Sequence, residues 1–187
     1  MAIDLERDEL PHTLVCDGGI TVEVNTSFRA WLRWGRLLSV GVLTFDVLKG
    51  EPHEGWVEAA TEFYNSPVVT PRGDAGKHGV VAMDFVADGD YIVGAFQQAY
   101  GIDLTTGDMH WHRFLALVRS LPSDVRLSSI VDARLYDERD EKKSHKQAMR
   151  DARERWRLPD RDEQARRDAQ LDWQNEFFKD FAPQAHD

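Results

Sequence analysis

His110 and His112 flank Trp111, and two imidazoles this close together are the first place to look for a metal. A spacing of two on a helix sends them to opposite sides, and no cysteine or third histidine stands nearby to complete a zinc set. The reading is therefore structural, with His110 partly packed and His112 exposed. Asp103, Thr105, Gly107 and Asp108 carry calcium-type oxygen ligands, but the order of carboxylates and glycine is wrong and the closing bidentate glutamate is missing. Helix capping is the expected use instead, with Asp108 capping the helix that starts near Trp111. Aspartate, histidine and serine are scattered without a glycine elbow or a strand-to-helix nucleophile turn, and there is no phosphate loop or dinucleotide fingerprint. Cys16 lies in an apolar stretch with no basic neighbour, which predicts an inert core thiol. No catalytic, metal or cofactor-binding residue is assigned, and the chain is expected not to be an enzyme.

The elements around these residues are helical. Tyr91, Ile92, Ala95, Phe96 and Ala99 recur at three to four residues, as do Trp111, Phe114, Leu115, Val118 and Leu121, and then Leu127, Ile130 and Val131. Asp88 is placed to cap the first of these helices, Gly101 to stop it and Pro122 to end the second. Upstream, Asp17-Gly18-Gly19 between β-branched runs predicts a hairpin over residues 13 to 24. Asn25 or Thr26 can cap a helix whose Phe28, Trp31, Leu32, Gly35 and Leu38 share a face, Gly35 permitting close packing. Trp56, Ala59, Ala60, Phe63 and Tyr64 mark another helix, while Val42 to Leu48 is ambiguous between helix and strand. Residues 66 to 79 read as an exposed, mobile loop. Charged helices are expected over about 137 to 158 and 161 to 181, interrupted at Pro159. The fold class is thus mainly α: a compact helical domain with a small N-terminal β-hairpin (1–135) and a charged C-terminal helical extension (136–187).

The 187 residues carry 23 basic and 33 acidic side chains, a net charge of −10. Residues 136–187 hold 12 basic and 14 acidic groups, leaving 11 and 19 in residues 1–135, so the body carries −8 and the extension −2. A phosphate-tracking nucleic-acid binder needs a basic face, which this balance argues against. The single cysteine suits a reducing compartment. No apolar run approaches the roughly 18 to 20 residues of a membrane span, and the N-terminus is too acidic for a signal peptide. The expectation is a protein with no nucleic-acid or membrane partner, in the cytoplasm of the cell that makes it.

An aromatic-rich helix ending in Tyr100-Gly101-Ile102-Asp103-Leu104, then His110-Trp111 with Phe114, then Leu121-Pro122 and a helix closing on Arg134, resembles the tail assembly chaperone family of siphophages. The likeness extends to Asn25–Leu32 and to Arg153–Pro159, while residues 66–82 and 160–187 depart from it. The resemblance implies a protein encoded near the tape measure gene that holds the tape measure protein before the tail tube forms, with tail tube subunits as a second client, and that is absent from the virion. It implies host cytoplasm as the location and no cofactor. A structural virion component, such as a head-tail connector or tail completion protein, is the alternative.

The candidate client-binding residues are Trp156 and a C-terminal aromatic set. Trp173, Phe177, Phe178 and Phe181 share one side of a predicted helix with charges opposite. Three uses remain open for that stripe: docking on the protein's own body, self-association and client capture.

Overall fold

The computed structural model describes residues 9–65, 82–136 and 146–158. The chain divides into two units, Met1–Trp156 and Arg157–Asp187, and of the second only Arg157 and Leu158 are described. The protein is mainly helical with a small N-terminal hairpin. Strands β1 (Thr13–Val15) and β2 (Thr21–Glu23) pair antiparallel with Leu14 opposite Val22, both buried. The turn between them places Gly18 and Gly19 at φ of 70° and 77°, a conformation that side chains with a Cβ resist. Cys16, just past β1, is buried as its apolar surroundings predict. Helices α1 (Phe28–Ser39), α2 (Trp56–Asn65), α3 (Gly89–Tyr100), α4 (Trp111–Arg119), α5 (Arg126–Leu135) and α6 (Lys146–Arg155) follow. Although the composition changes at Tyr136, α6 belongs with the first unit. The earlier part of the expected 137–158 helix, the 66–79 loop and the 161–181 helix lie outside the described residues.

The start of α1 differs from the sequence reading. Neither Asn25 nor Thr26 caps it. The Asn25 side chain accepts from the Ser27 N–H, the Phe28 N–H donates to the Met109 carbonyl, and the Trp111 N–H donates to the Thr26 carbonyl. A backbone bridge between Ser27 and His110 thus fixes the entries of α1 and α4 together. Gly35 permits the close packing its position suggested, because a Cβ there would collide with the Tyr64 hydroxyl of α2.

The core is aromatic. Phe114 of α4 lies 4.8 Å from Phe28, 5.4 Å from Phe96 and 5.8 Å from Trp111, centroid to centroid. Trp31 stacks on Phe63 at 4.5 Å, and Trp111 on Tyr64 at 5.0 Å. Such pairs add about 0.5 to 1.5 kcal/mol each beyond the area they bury. The indole N–H of Trp31 donates to Asn25 and that of Trp111 to Tyr64, so these two large side chains are buried with their polar atoms satisfied. Trp34, three residues from Trp31 and left out of the sequence-derived face, is also fully buried.

His112 is a correction. It is 1% exposed, because the first turn of α4 directs its ring inward against Phe63, at 4.3 Å. Its Nε2 lies 2.9 Å from the Phe63 carbonyl and must carry the proton, leaving Nδ1 bare and without a partner. Burial pushes its pKa down to about 4, the Phe63 bond opposing and the Arg119 cation adding a smaller push in the same direction.

One buried ion pair joins the ends of two helices. Asp88, the residue preceding α3, receives both arms of Arg134 from the last turn of α5, at 2.6 and 2.7 Å. The carboxylate does not cap α3 in the ordinary way; its Oδ2 also accepts from the Asp84 N–H. Arg134 donates further to the Ala82 and Trp156 carbonyls. Both side chains are almost wholly buried, at 1% and 6% exposure, so each charge depends on the other.

Two outcomes follow. Asp88→Leu or Arg134→Met alone should cost about 3 to 5 kcal/mol by denaturant unfolding, because each strands a buried charge. The double variant should cost well under the sum, and additivity within about 0.5 kcal/mol would show that the two are not coupled. The second outcome concerns acid. Since the folded value for His112 lies below its ordinary 6.5, the unfolded chain takes up the proton first, so stability is full above about pH 6.5 and declines toward pH 4. Asp103, held below its ordinary 3.8 by its bonds to Thr105, adds a loss only at lower pH. His112→Gln, which keeps a donor for Phe63, should flatten the decline in unfolding midpoint between neutral pH and about pH 5, leaving the smaller share of His110. A slope equal to that of the unsubstituted protein would refute the assignment.

Candidate partner-binding surface

The residues that carry the resemblance hold the fold together. Tyr100 closes α3 and its hydroxyl donates to the Leu117 carbonyl on α4, at 2.9 Å. Gly101 takes the left-handed conformation at φ 67°, and the N–H groups of Gly101 and Ile102 return to the Gln97 and Phe96 carbonyls. Asp103 folds the next turn onto itself, accepting from the Thr105 N–H and hydroxyl and from the Thr106 hydroxyl, and these bonds hold its carboxyl below the usual range. Leu104 is buried, and its carbonyl accepts from Arg29 at 2.6 Å. Leu121 is half-buried, and the Pro122 carbonyl accepts from the Ser128 hydroxyl at the entry to α5.

His110, not Asp108, caps α4. Its Nδ1 accepts from the His112 N–H at 3.1 Å while Nε2 sits 2.8 Å from the Pro11 carbonyl, which assigns the proton to Nε2. Burial pushes its pKa down, as a neutral cap requires. Asp108 instead accepts from its neighbour Met109 and from the Ser27 hydroxyl, 3.7 Å from Arg29. The signal was in the sequence: the residue just before the first apolar helical position is a histidine, whose unprotonated nitrogen accepts as a serine oxygen would. The two imidazoles stand 5.3 Å apart with three of their four nitrogens engaged by protein groups. Among the described residues no group of three or more His, Cys, Asp or Glu side chains is placed to hold a metal ion.

Trp156 is engaged within the first unit. Tyr91 meets its ring edge-on at 5.6 Å, the Arg126 guanidinium lies over it at 5.1 Å, and its carbonyl takes the 2.6 Å bond from Arg134. The ring remains half-buried. Trp173, Phe177, Phe178 and Phe181 lie outside the described residues.

The surface best suited to a macromolecular partner is one the sequence reading left undecided. After α1 the chain turns through Gly41 at φ 79°, where the N–H groups of Val40, Gly41 and Val42 return to Leu37 and Leu38. It then runs to Val47, which is fully buried, and Leu48, which bridges to Val24 beside the hairpin. Between these anchors Val40, Val42, Leu43 and Phe45 stand 52, 48, 50 and 55% exposed. Phe45 is steadied by Trp56 at 5.3 Å, and Asp46 by Arg33 at 3.7 Å. Four half-exposed apolar side chains in six residues form a knuckle, whereas exposed apolar residues scattered singly carry no such meaning. No helix among the described residues is long and apolar enough to cross a membrane.

No curated protein and no solved structure matches the chain. Residues 60–158, running from within α2 to just past α6, match the family described as Bacteriophage Gp15 protein, with the hairpin and α1 outside the matched stretch. Since that match covers more than half of the sequence, the chain belongs to the Bacteriophage Gp15 protein family.

Proposed function

We propose that this protein is a non-enzymatic phage tail assembly chaperone, which covers apolar stripes of the tape measure protein in the host cytoplasm and leaves before the virion is complete. Tail tube subunits are its second client. Membership of a bacteriophage family supports the setting, and the apolar knuckle over residues 40–45 is the observation that carries the binding role. Fully burying one such side chain contributes about 1.5 to 3 kcal/mol, so covering the exposed halves of four contributes about 3 to 6. Association itself costs an estimated 4 to 15 kcal/mol, which makes the knuckle alone a weak site. Weakness suits the task. A long client held by many such contacts stays soluble, yet growing tube subunits can displace the holders one at a time.

The test is recovery of co-expressed tape measure protein by the tagged full chain, by a Val42→Asp/Leu43→Asp variant and by a chain lacking residues 160–187. The full chain should recover the client and the double variant several-fold less, with stability within about 0.5 kcal/mol because both positions are surface-exposed. Loss on truncation would move client contact to the C-terminal aromatic set, and recovery by the truncated chain would keep it on the body. Purified particles should lack the protein. Its presence there, with no recovery of tape measure protein, would replace the chaperone reading with a structural virion component.

A further inference from the structure

An apolar depression of about 270 Å³ lies between the end of α2, the segment leading into α3 and α4. Its floor is a ridge of α4 in which Trp111 and Leu115 are buried, at 1% and 7% exposure, and Val118 is half-buried, and the half-buried Phe85 forms a wall. Small-molecule sites enclose roughly 300 to 1,000 Å³, so this volume suits one or two protruding side chains better than a cofactor. At its edge stands Arg119, exposed, with no carboxylate of the described residues within 4 Å. Its apolar surroundings strip water from the guanidinium and hold its pKa below the ordinary arginine value. A partly desolvated cation without a counter-charge among the described residues attracts an incoming carboxylate more strongly than a fully hydrated one does. Burial raises the pKa of the half-buried Tyr64 hydroxyl on another wall, and the Asp84 carboxylate adds to the rise. The groove is apolar along α4 and carries a cation, Arg119, at one edge.

We propose that this groove receives an amphipathic helical segment of the tape measure protein, a bulky apolar side chain between Val118 and Phe85 and an aspartate or glutamate one turn away on Arg119. A floor made of a single helix ridge fits helix-in-groove recognition, in which anchors recur every three or four residues. The inference rests on the chaperone reading and adds a second contact of defined chemistry, formed by residues within the family-matched stretch.

The experiment uses the full chain co-expressed with the tape measure protein, carrying Arg119→Glu, Arg119→Lys or a photo-reactive side chain at Val118. Arg119→Glu should lower recovered tape measure protein about tenfold or more, since a like charge then faces the client's acid, whereas Arg119→Lys retains most of it. The Val118 probe should cross-link to a tape measure peptide containing an acidic residue. Full recovery by Arg119→Glu overturns the groove while the chaperone reading stands. So does a Val118 cross-link to a second copy of this chain or to another segment of the same chain. Should Arg119→Glu lower the melting temperature, the cross-link alone decides. If the unsubstituted chain recovers no tape measure protein, the chaperone reading fails and the groove assignment with it.

Discussion

The Asp88–Arg134 pair is the constraint on which the arrangement of α3, α5 and Trp156 depends. It joins residues 46 positions apart, and a buried charge of either sign would be unsustainable without the other. The fork geometry matters as much as the charge. Arg134 serves both Asp88 oxygens and two carbonyls, Ala82 and Trp156, so one side chain fixes the approach to α3 and the residue that follows α6. A lysine could not serve four acceptors spread in a plane. A closing arginine on α5 is therefore required by the packing before any partner is considered.

From that knot inward, order passes through rings. Trp111 both packs on Phe114 and Tyr64 and donates to the Tyr64 carbonyl, so α4 and α2 are tied by a hydrogen bond as well as by contact. Directional bonds of this kind choose one packing among the many that apolar area alone would tolerate. His112 extends the same logic, since its donor reaches the next carbonyl along, that of Phe63. The Ser27–His110 bridge then sets where α1 and α4 begin. The scaffold presents the residue 40–45 knuckle from one end of α1 and the Arg119 groove from α4, both on supports whose polar atoms are largely committed.

Local signals were legible and long-range pairings were not. Asp17-Gly18-Gly19 announced the hairpin because positive φ is written in the glycines, and the apolar periods placed α2 to α5 because a helix in contact with a core repeats every three to four residues. Gly35 likewise announced a close approach. Nothing local says that Asp88 meets Arg134, since both lie at helix ends where each has an ordinary local use. The sequence places His112 on the exposed side because a spacing of two on a helix sets it opposite a packed His110, whereas His110 lies just before the helix and a neutral imidazole with one carbonyl partner buries readily. The run from Val42 to Leu48 stayed ambiguous for a related reason. An apolar stretch reports that its residues avoid water, not which of them succeed, and here Val47 is buried while Val42, Leu43 and Phe45 are not.

That partial exposure needs a counterweight, because an apolar knuckle seeks other knuckles as readily as a client. Net charge supplies it. At −10 overall, two copies repel before their apolar surfaces touch, and the repulsion extends over a Debye length of about 8 Å at physiological ionic strength. A partner with basic or neutral helix faces would feel no such barrier. Arg119, at the edge of an apolar depression and with no carboxylate of the described residues within 4 Å, would receive an acidic group of such a partner. On the proposed function, apolar contact would supply the attraction and charge would decide which chain could use it, so one net acidity would oppose self-association and favour a partner of other charge.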